Sequence, residues 1–276
     1  MRFSVAKKKA SSFQDSIDSI FVQKDSFVRR ILHPGRNTLS MALFEYIFLK
    51  PMGPFSIRIL FDSVLFLACA ASFSLLSARM FLTGTDGYFF LSWNLVLAAV
   101  PYGLALFWDR VSHRESASAW KESGIFLLWL FFFPNAPYIV TDFIHVPWAY
   151  PNSSRFAFDF LLVASFAVSG MLFGLGSLFH VHAALRDRIG RTFAGIVVAF
   201  SISLAGIGMY LGRFLRWNSW DVLLNPLRVL RDAALRYGDP AWFEHAAALS
   251  ILFAAFIGVS YGMFLGMRRL LSKLER

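Results

Sequence analysis

Apolar residues gather into six long stretches of this chain, and most charged residues fall in the segments between them. Each stretch is close to the length of about 20 apolar residues that a helix needs to cross a bilayer. The pattern therefore predicts an all-α fold, a polytopic membrane helix bundle. We expect its six transmembrane helices at 57–79, 88–108, 123–143, 157–180, 192–214 and 246–267.

Two further segments predict helices that lie beside the bilayer. Residues 38–49 are apolar but too short to cross it, so we expect a short interfacial helix within a basic N-terminal extension, 1–56. After the fifth span, Asn225 and Pro226 suit a helix cap and the first helical position, and Gly238 suits the helix end.

The helix predicted at 226–237 is amphipathic. Leu227, Leu230 and Ala234 share one apolar face, and arginines occupy the other side. A helix of this kind suits the surface of the outer leaflet. A short soluble helix that caps the bundle is the alternative.

The composition agrees with a membrane protein. Hydrophobic residues make up 57% of the 276 residues and charged residues 16%, whereas soluble domains carry roughly 25% charged residues. The net charge of +10 raises the question of nucleic-acid binding. Basic loops on the cytoplasmic side of a membrane explain this charge better, so we expect membrane lipids and no nucleic acid as partners.

The distribution of Lys and Arg predicts the orientation. The chain through Arg58 carries ten of them, and the loops and tail on the same side carry ten more, against seven on the other side. The excess places both termini in the cytoplasm, with 268–276 as a basic cytoplasmic tail. Five arginines between Arg213 and Arg236 run against the rule, unless this segment lies on the membrane surface.

A polar stripe occupies the end of the third predicted span. Two prolines, Pro134 and Pro137, interrupt the helical hydrogen bonds where this stripe begins. Hydrocarbon offers polar groups no water, so we expect the stripe to face protein or a wet cavity. Its members follow at steps of three, four and three residues: Asn135, Tyr138, Asp142 and His145.

Other spans bring polar residues to the same outer level of the bundle. Together with the stripe they predict a polar cluster, to which these spans add Asn94, Asp159, Tyr210, Arg213, Arg216, Asn218 and Asp221. The guanidinium groups of Arg213 and Arg216 suit a phosphate or carboxylate anion. His145 beside Asp142 could pass a proton near neutral pH.

The same residues allow other interpretations. Arg213 with Asp142 or Asp221 could form an ion pair that only locks helix ends. Asp142 and His145 are spaced as metal ligands are in helical bundles, but a third ligand would have to come from Asp221 or Asp159, and we predict no metal. No nucleophile, zinc-protease or phosphate-loop motif is present, and nothing points to a cofactor.

Small residues recur at four-residue spacing in the last span, at Gly258, Gly262 and Gly266, and in the fourth, at Gly170 and Gly174. This spacing lets helix backbones approach closely. The approach can be within the bundle or between molecules, so a homo-oligomer or another membrane protein is a possible partner.

Three strings carry a resemblance: WNLVLAAVPY (93–102), LWLFFFPNAPYIVTDFIHV (128–146) and YLGRFLRWNSWDVLLNP (210–226). They resemble a family of bacterial integral membrane proteins of uncharacterised role, the domain of unknown function 1361 family. The resemblance covers roughly residues 57–267. It implies a multi-span protein of the bacterial inner membrane, and it brings no activity, substrate or cofactor.

Three functions fit the sequence. The first is binding or transport of an anionic lipid headgroup or small anionic metabolite through the polar cluster. The second is a structural or accessory membrane subunit without chemistry of its own, supported by the glycines of the last span. The third is a lipid-modifying enzyme that uses Asp142 and His145, and the lack of a nucleophile motif counts against it.

Overall fold

The computed structural model describes residues 54–112, 119–147, 153–217 and 224–274. The interfacial helix expected within 1–56 lies outside these residues, as do Asn218 and Asp221. The described chain is mostly helical and contains no strand in these ranges. Its helices are α1 Pro54–Thr83, α2 Phe90–Ser112, α3 Ala119–Phe132, α4 Asn135–Tyr138, a 3₁₀ helix Ile139–His145, α5 Ser154–Ile189, α6 Arg191–Phe214, α7 Pro226–Gly238 and α8 Pro240–Leu274.

Within the described ranges, six apolar segments are long enough to cross a membrane, which confirms the all-α, multi-pass fold. Many large apolar side chains face outward, as lipid-facing helices require. The six segments are Ile59–Thr83, Phe90–Val111, Trp120–His145, Ser154–Ile189, Arg191–Phe214 and Pro240–Leu271.

Helix α5 is the central element of the bundle. It packs against α1, α2, α6, α4 and the 3₁₀ helix. Ser72 of α1 and Ser169 of α5 are both fully buried, and their hydroxyls lie 3.1 Å apart. The largest fully buried side chains include Trp129, Phe133 and Phe166. Both hydrophobic clusters of the described bundle include side chains of α5.

The fourth span is longer than the sequence indicated. Helix α5 continues to Ile189, nine residues past the span end expected at residue 180. A single residue, Gly190, separates α5 from α6 with φ +81°, a conformation that glycine adopts without strain. At 1.5 Å per residue this 36-residue helix is about 54 Å long, so its end extends beyond a hydrocarbon core of about 30 Å.

The third span breaks where its prolines lie. Helix α3 ends at Phe132, and the chain continues as the single turn α4 and then as seven residues of 3₁₀ helix. A 3₁₀ helix of this length is uncommon and often marks a functional hinge or a sequence under strain. Val146 is extended and precedes Pro147, which disfavours further helix.

Helix α7 begins with Pro226 at its start, as expected, but the side chain of Asn225 makes no capping bond. The Asn225 carbonyl instead accepts from the backbone amides of Arg228 and Val229. The predicted stripe of Leu227, Leu230 and Ala234 is exposed, while Val229 is buried. The stripe is therefore not buried against the bundle.

Two sets of glycines behave differently. A Cβ on Gly206 of α6 would lie 2.3 Å from the Ser250 carbonyl oxygen of α8, so these helices meet closely at this point. Gly170 and Gly174 likewise approach α4, at Ala136. In contrast, a Cβ on Gly258, Gly262 or Gly266 would meet no described atom within 4 Å. The glycines of the last span therefore do not pack within the described part of the chain.

Candidate functional site: a polar cavity beside the break in the third span

A cavity of about 560 Å³ opens beside the break in the third span. Its walls come from α2, the region from the end of α3 to the 3₁₀ helix, α6 and α7. Six of the residues proposed from the sequence line it: Asn94, Asn135, Tyr138, Asp142, His145 and Arg213. Pro134 also lines it, whereas Pro137 is buried behind it.

An ion pair between α6 and the 3₁₀ helix forms the polar end of the cavity. Arg213 Nη2 donates to Asp142 Oδ1 at 2.5 Å, and Asn94 Nδ2 of α2 donates to Asp142 Oδ2 at 2.8 Å. The side chains of Arg213 and Asp142 are 10% and 2% exposed. Both oxygens of this buried carboxylate therefore have donors, which offsets its desolvation.

Thr141 also positions Arg213, and the sequence analysis did not identify this residue. Its hydroxyl oxygen accepts from Arg213 Nε at 2.8 Å and donates to the Tyr138 carbonyl at 2.7 Å. The Tyr138 ring lies under the guanidinium, with Cζ 4.6 Å from the ring centroid. Thr141 does not follow the three-four-three spacing, and its position directly before Asp142 was its only signal.

His145 stands at the exposed side of the same group. Its Nε2 lies 3.3 Å from Arg213 Nη1, and its ring meets Phe90 edge-on at 4.8 Å between centroids. Because guanidinium nitrogens only donate, this contact needs Nε2 as the acceptor and the proton on Nδ1. In 3₁₀ geometry, residues three apart lie above one another, so Asp142 and His145 both reach Arg213.

Asp159 does not belong to this cavity. It forms a second buried ion pair with Arg79 of α1, with Arg79 Nε 2.5 Å from Asp159 Oδ1. The side chains of Arg79 and Asp159 are also 10% and 2% exposed. Arg79 was absent from the residues proposed from sequence, because a lone arginine at a span end resembles ordinary interfacial charge.

Tyr88 connects the second pair to the cavity wall. Its hydroxyl lies 3.3 Å from Asp159 Oδ2 and 3.2 Å from the His145 carbonyl oxygen, and it can donate to either. Burial and the nearby Asp159 charge raise the pKa of Tyr88 to about 12. The hydroxyl therefore stays protonated at neutral pH and steadies the end of the 3₁₀ helix.

Two other proposed residues lie away from the cavity lining. Tyr210 is buried, stacks on Phe214 with 5.1 Å between ring centroids, and meets Tyr237 and His245 edge-on. Arg216 is exposed and has φ +58° just after α6 ends. Trp217 also lines the cavity, and Arg228 Cζ lies 5.4 Å from the centroid of its ring.

The metal alternative gains no support from the described part of the chain. No group of three or more His, Cys, Asp or Glu is placed there to hold an ion. Asp159, one of the two suggested third ligands, is bound to Arg79, and Asp221 lies outside the described residues.

A protein-family model described as "Protein of unknown function (DUF1361)" matches residues 93–260. The match covers the cavity residues from Asn94 through Leu230. No curated protein and no solved structure matches the chain.

Proposed function

We propose that the cavity of this chain, which belongs to the DUF1361 family, binds an anion for recognition or transport. The anion is the headgroup of a membrane lipid or a small anionic metabolite. One observation carries this proposal: a permanently charged guanidinium, at Arg213, is held at the wall of a cavity among membrane-crossing helices. Ionisable groups within membrane-crossing bundles are rare and are typical of binding sites and transport pathways.

The contacts of Arg213 favour an anion on its third nitrogen. Thr141 accepts from Nε and Asp142 accepts from Nη2, so two of the three guanidinium nitrogens are bound by the protein. Nη1 points to the side where His145 is exposed. A phosphate or carboxylate that replaces the weak contact with His145 would receive a charge-assisted hydrogen bond. Asn135, in the same lining, adds an amide donor.

The location completes the proposal. We place the protein in a bacterial inner membrane with both termini in the cytoplasm, because Lys and Arg concentrate on the side of the termini. In this orientation the cavity faces the extracytoplasmic leaflet. Lipid headgroups are the anions present at this depth.

The test compares two matched double variants. Arg213→Gln/Asp142→Asn removes the cavity pair and Arg79→Gln/Asp159→Asn removes the second pair, which has the same burial and does not line the cavity. Native mass spectrometry then measures retention of added phosphatidylglycerol. We expect the cavity variant to lose about tenfold in affinity, the effect of one lost charged hydrogen bond. The control variant should bind as the wild type does.

Equal retention by both variants would overturn the proposal. Equal loss in both would overturn it too, provided that thermal unfolding shows each variant to be folded, because the effect would then be unrelated to the cavity.

The structural or accessory subunit is the second candidate, and one observation favours it. Gly258, Gly262 and Gly266 follow one another along α8 and meet no described atom within 4 Å of an added Cβ. A glycine surface of this kind can receive another membrane helix. The lipid-modifying enzyme has no comparable support, since both oxygens of Asp142 already accept hydrogen bonds.

A further inference from the structure

The cavity has two chemically different ends. The charged and amide groups lie around Arg213, where the third span breaks and α6 ends. Most of the remaining wall is apolar: Leu97, Leu130, Phe131, Leu204, Ile207 and Leu211. A small anion would leave these side chains against water or empty space. An amphiphile would cover them while its charge stays at Arg213.

Two apolar residues of the lining are also partly exposed. Leu230 of α7 is 65% exposed and Phe131 of α3 is 39% exposed, yet both line the cavity. Phe131 belongs to a membrane-crossing segment. Such exposure is expected where a cavity opens laterally towards lipid.

Helix α7 supports a membrane-side location for this opening. Leu224 just before it and Leu227, Leu230 and Leu235 within it are between 61% and 81% exposed. Its opposite face holds the bundle, through buried Val229 and through the Tyr237 hydroxyl 2.5 Å from Ser250 Oγ. An amphipathic helix that turns leucines away from its own protein is suited to the boundary of the acyl chains.

We infer that the ligand is an anionic lipid whose acyl chain runs along the apolar wall and reaches the bilayer past Leu230 and Phe131. This inference rests on the proposed function and adds the substrate class and the route of entry. A water-soluble metabolite of the same charge is the alternative source of the anion.

The experiment compares three probes on the full-length protein in detergent. Phosphatidylglycerol carries charge and chains, glycerol phosphate carries the charge alone, and phosphatidylcholine carries chains without net charge. The variant Leu230→Asn alters a leucine that lines the cavity. Its control, Leu227→Asn, alters a leucine of the same helix that is 81% exposed and outside the lining.

We expect phosphatidylglycerol to bind more tightly than glycerol phosphate by at least about tenfold, because burial of even two methylene groups has this effect. Leu230→Asn should weaken phosphatidylglycerol binding severalfold and leave glycerol phosphate binding unchanged. Leu227→Asn should change neither.

The outcomes separate this inference from the proposed function. Glycerol phosphate that binds as tightly as the lipid, and loses binding with Arg213→Gln/Asp142→Asn, would overturn the acyl-chain inference alone. Phosphatidylcholine that binds as well as phosphatidylglycerol, with no effect of the Arg213 double variant, would overturn the proposed function and this inference with it. If Leu230→Asn and Leu227→Asn change phosphatidylglycerol binding equally, the proposed entry route past Leu230 is wrong.

Discussion

Two buried arginine–aspartate pairs of this protein differ in their surroundings rather than in their geometry. Each has a 2.5 Å contact and the same side-chain exposure of 10% and 2%. Arg79 is enclosed by Thr83, Thr85 and Asp159, which all accept its hydrogen bonds. Arg213 has an edge directed to a cavity. Pairing explains why both arginines are tolerated in the bundle, and only the cavity suggests a ligand.

Removal of one partner of the cavity pair should destabilise the fold. Asp142→Asn leaves the Arg213 charge buried without its counter-ion, which typically costs about 3–5 kcal/mol. The double variant with Arg213→Gln removes the orphaned charge, so we expect it to recover most of the loss. Unfolding by heat or denaturant in detergent measures the stability of both variants. A single variant as stable as the wild type would show that the pair is already well solvated.

The hydroxyl of Tyr88 gives a prediction of pH dependence. Burial and Asp159 raise its pKa from 10.0 to about 12, so the folded protein keeps a proton that the unfolded chain releases earlier. The stability that this group contributes is fully present below pH 10 and is lost as the pH rises towards 12. Unfolding measured across this range should show the extra loss in the wild type and not in Tyr88→Phe. Parallel pH profiles of the two proteins would contradict it.

At the scale of elements, the sequence predicts the helices and breaks that depend on the local pattern of residues. Six apolar runs were enough to predict six spans, and Pro134 with Pro137 indicated the break in the third. The 3₁₀ winding after the break was not predictable, because it depends on how the segment packs against α5 and α2. The extension of α5 to Ile189 was missed because charged residues in its last turns resemble a loop.

In the candidate site too, local spacing predicts some of the residues, and the packing of the helices decides the others. Asn135, Tyr138, Asp142 and His145 share a wall because their spacing is local. Asp159 and Tyr210 were grouped with them by their level along the spans. The position of a residue along a span does not determine the direction in which its side chain points from the helix. Asp159 and Tyr210 both lie outside the cavity lining. Arg79 is distant in sequence from its partner Asp159, so only the packed bundle reveals the pair.

The closest helix contact gives a prediction with an internal control. Gly206→Ala on α6 would place a methyl group 2.3 Å from the Ser250 carbonyl, so we expect a loss of about 1–3 kcal/mol as α6 and α8 separate. Gly195→Ala on the same helix meets nothing within 4 Å and should be neutral or stabilising by up to about 1 kcal/mol. Thermal unfolding of both variants measures the difference. A Gly206→Ala protein as stable as Gly195→Ala would refute the close contact.

At the scale of the whole molecule, α8 has an exposed apolar outer surface. Val259, Met263 and Met267 are more than half exposed beside the three glycines. Lipid suffices to cover such a surface, and a second copy of the chain is the partner that the accessory-subunit hypothesis expects.

Gly262→Leu distinguishes these cases. The substitution enters open space, so it should not change the unfolding temperature of the single molecule. If copies pack through this surface, the added side chain should separate them, and the mass measured by light scattering in detergent should fall. An unchanged mass, with an assembled wild type, would show that the glycine surface holds no second copy.

The central claim is that Arg213 presents its charge to an anionic ligand inside the cavity. An experimental structure of the protein in nanodiscs that contain phosphatidylglycerol tests it most directly. We predict headgroup density within hydrogen-bond distance of Arg213 Nη1, with Asp142 and Thr141 still bound to the other nitrogens. A cavity filled only by ordered water or by its own side chains, with lipid headgroups bound elsewhere, would contradict the account.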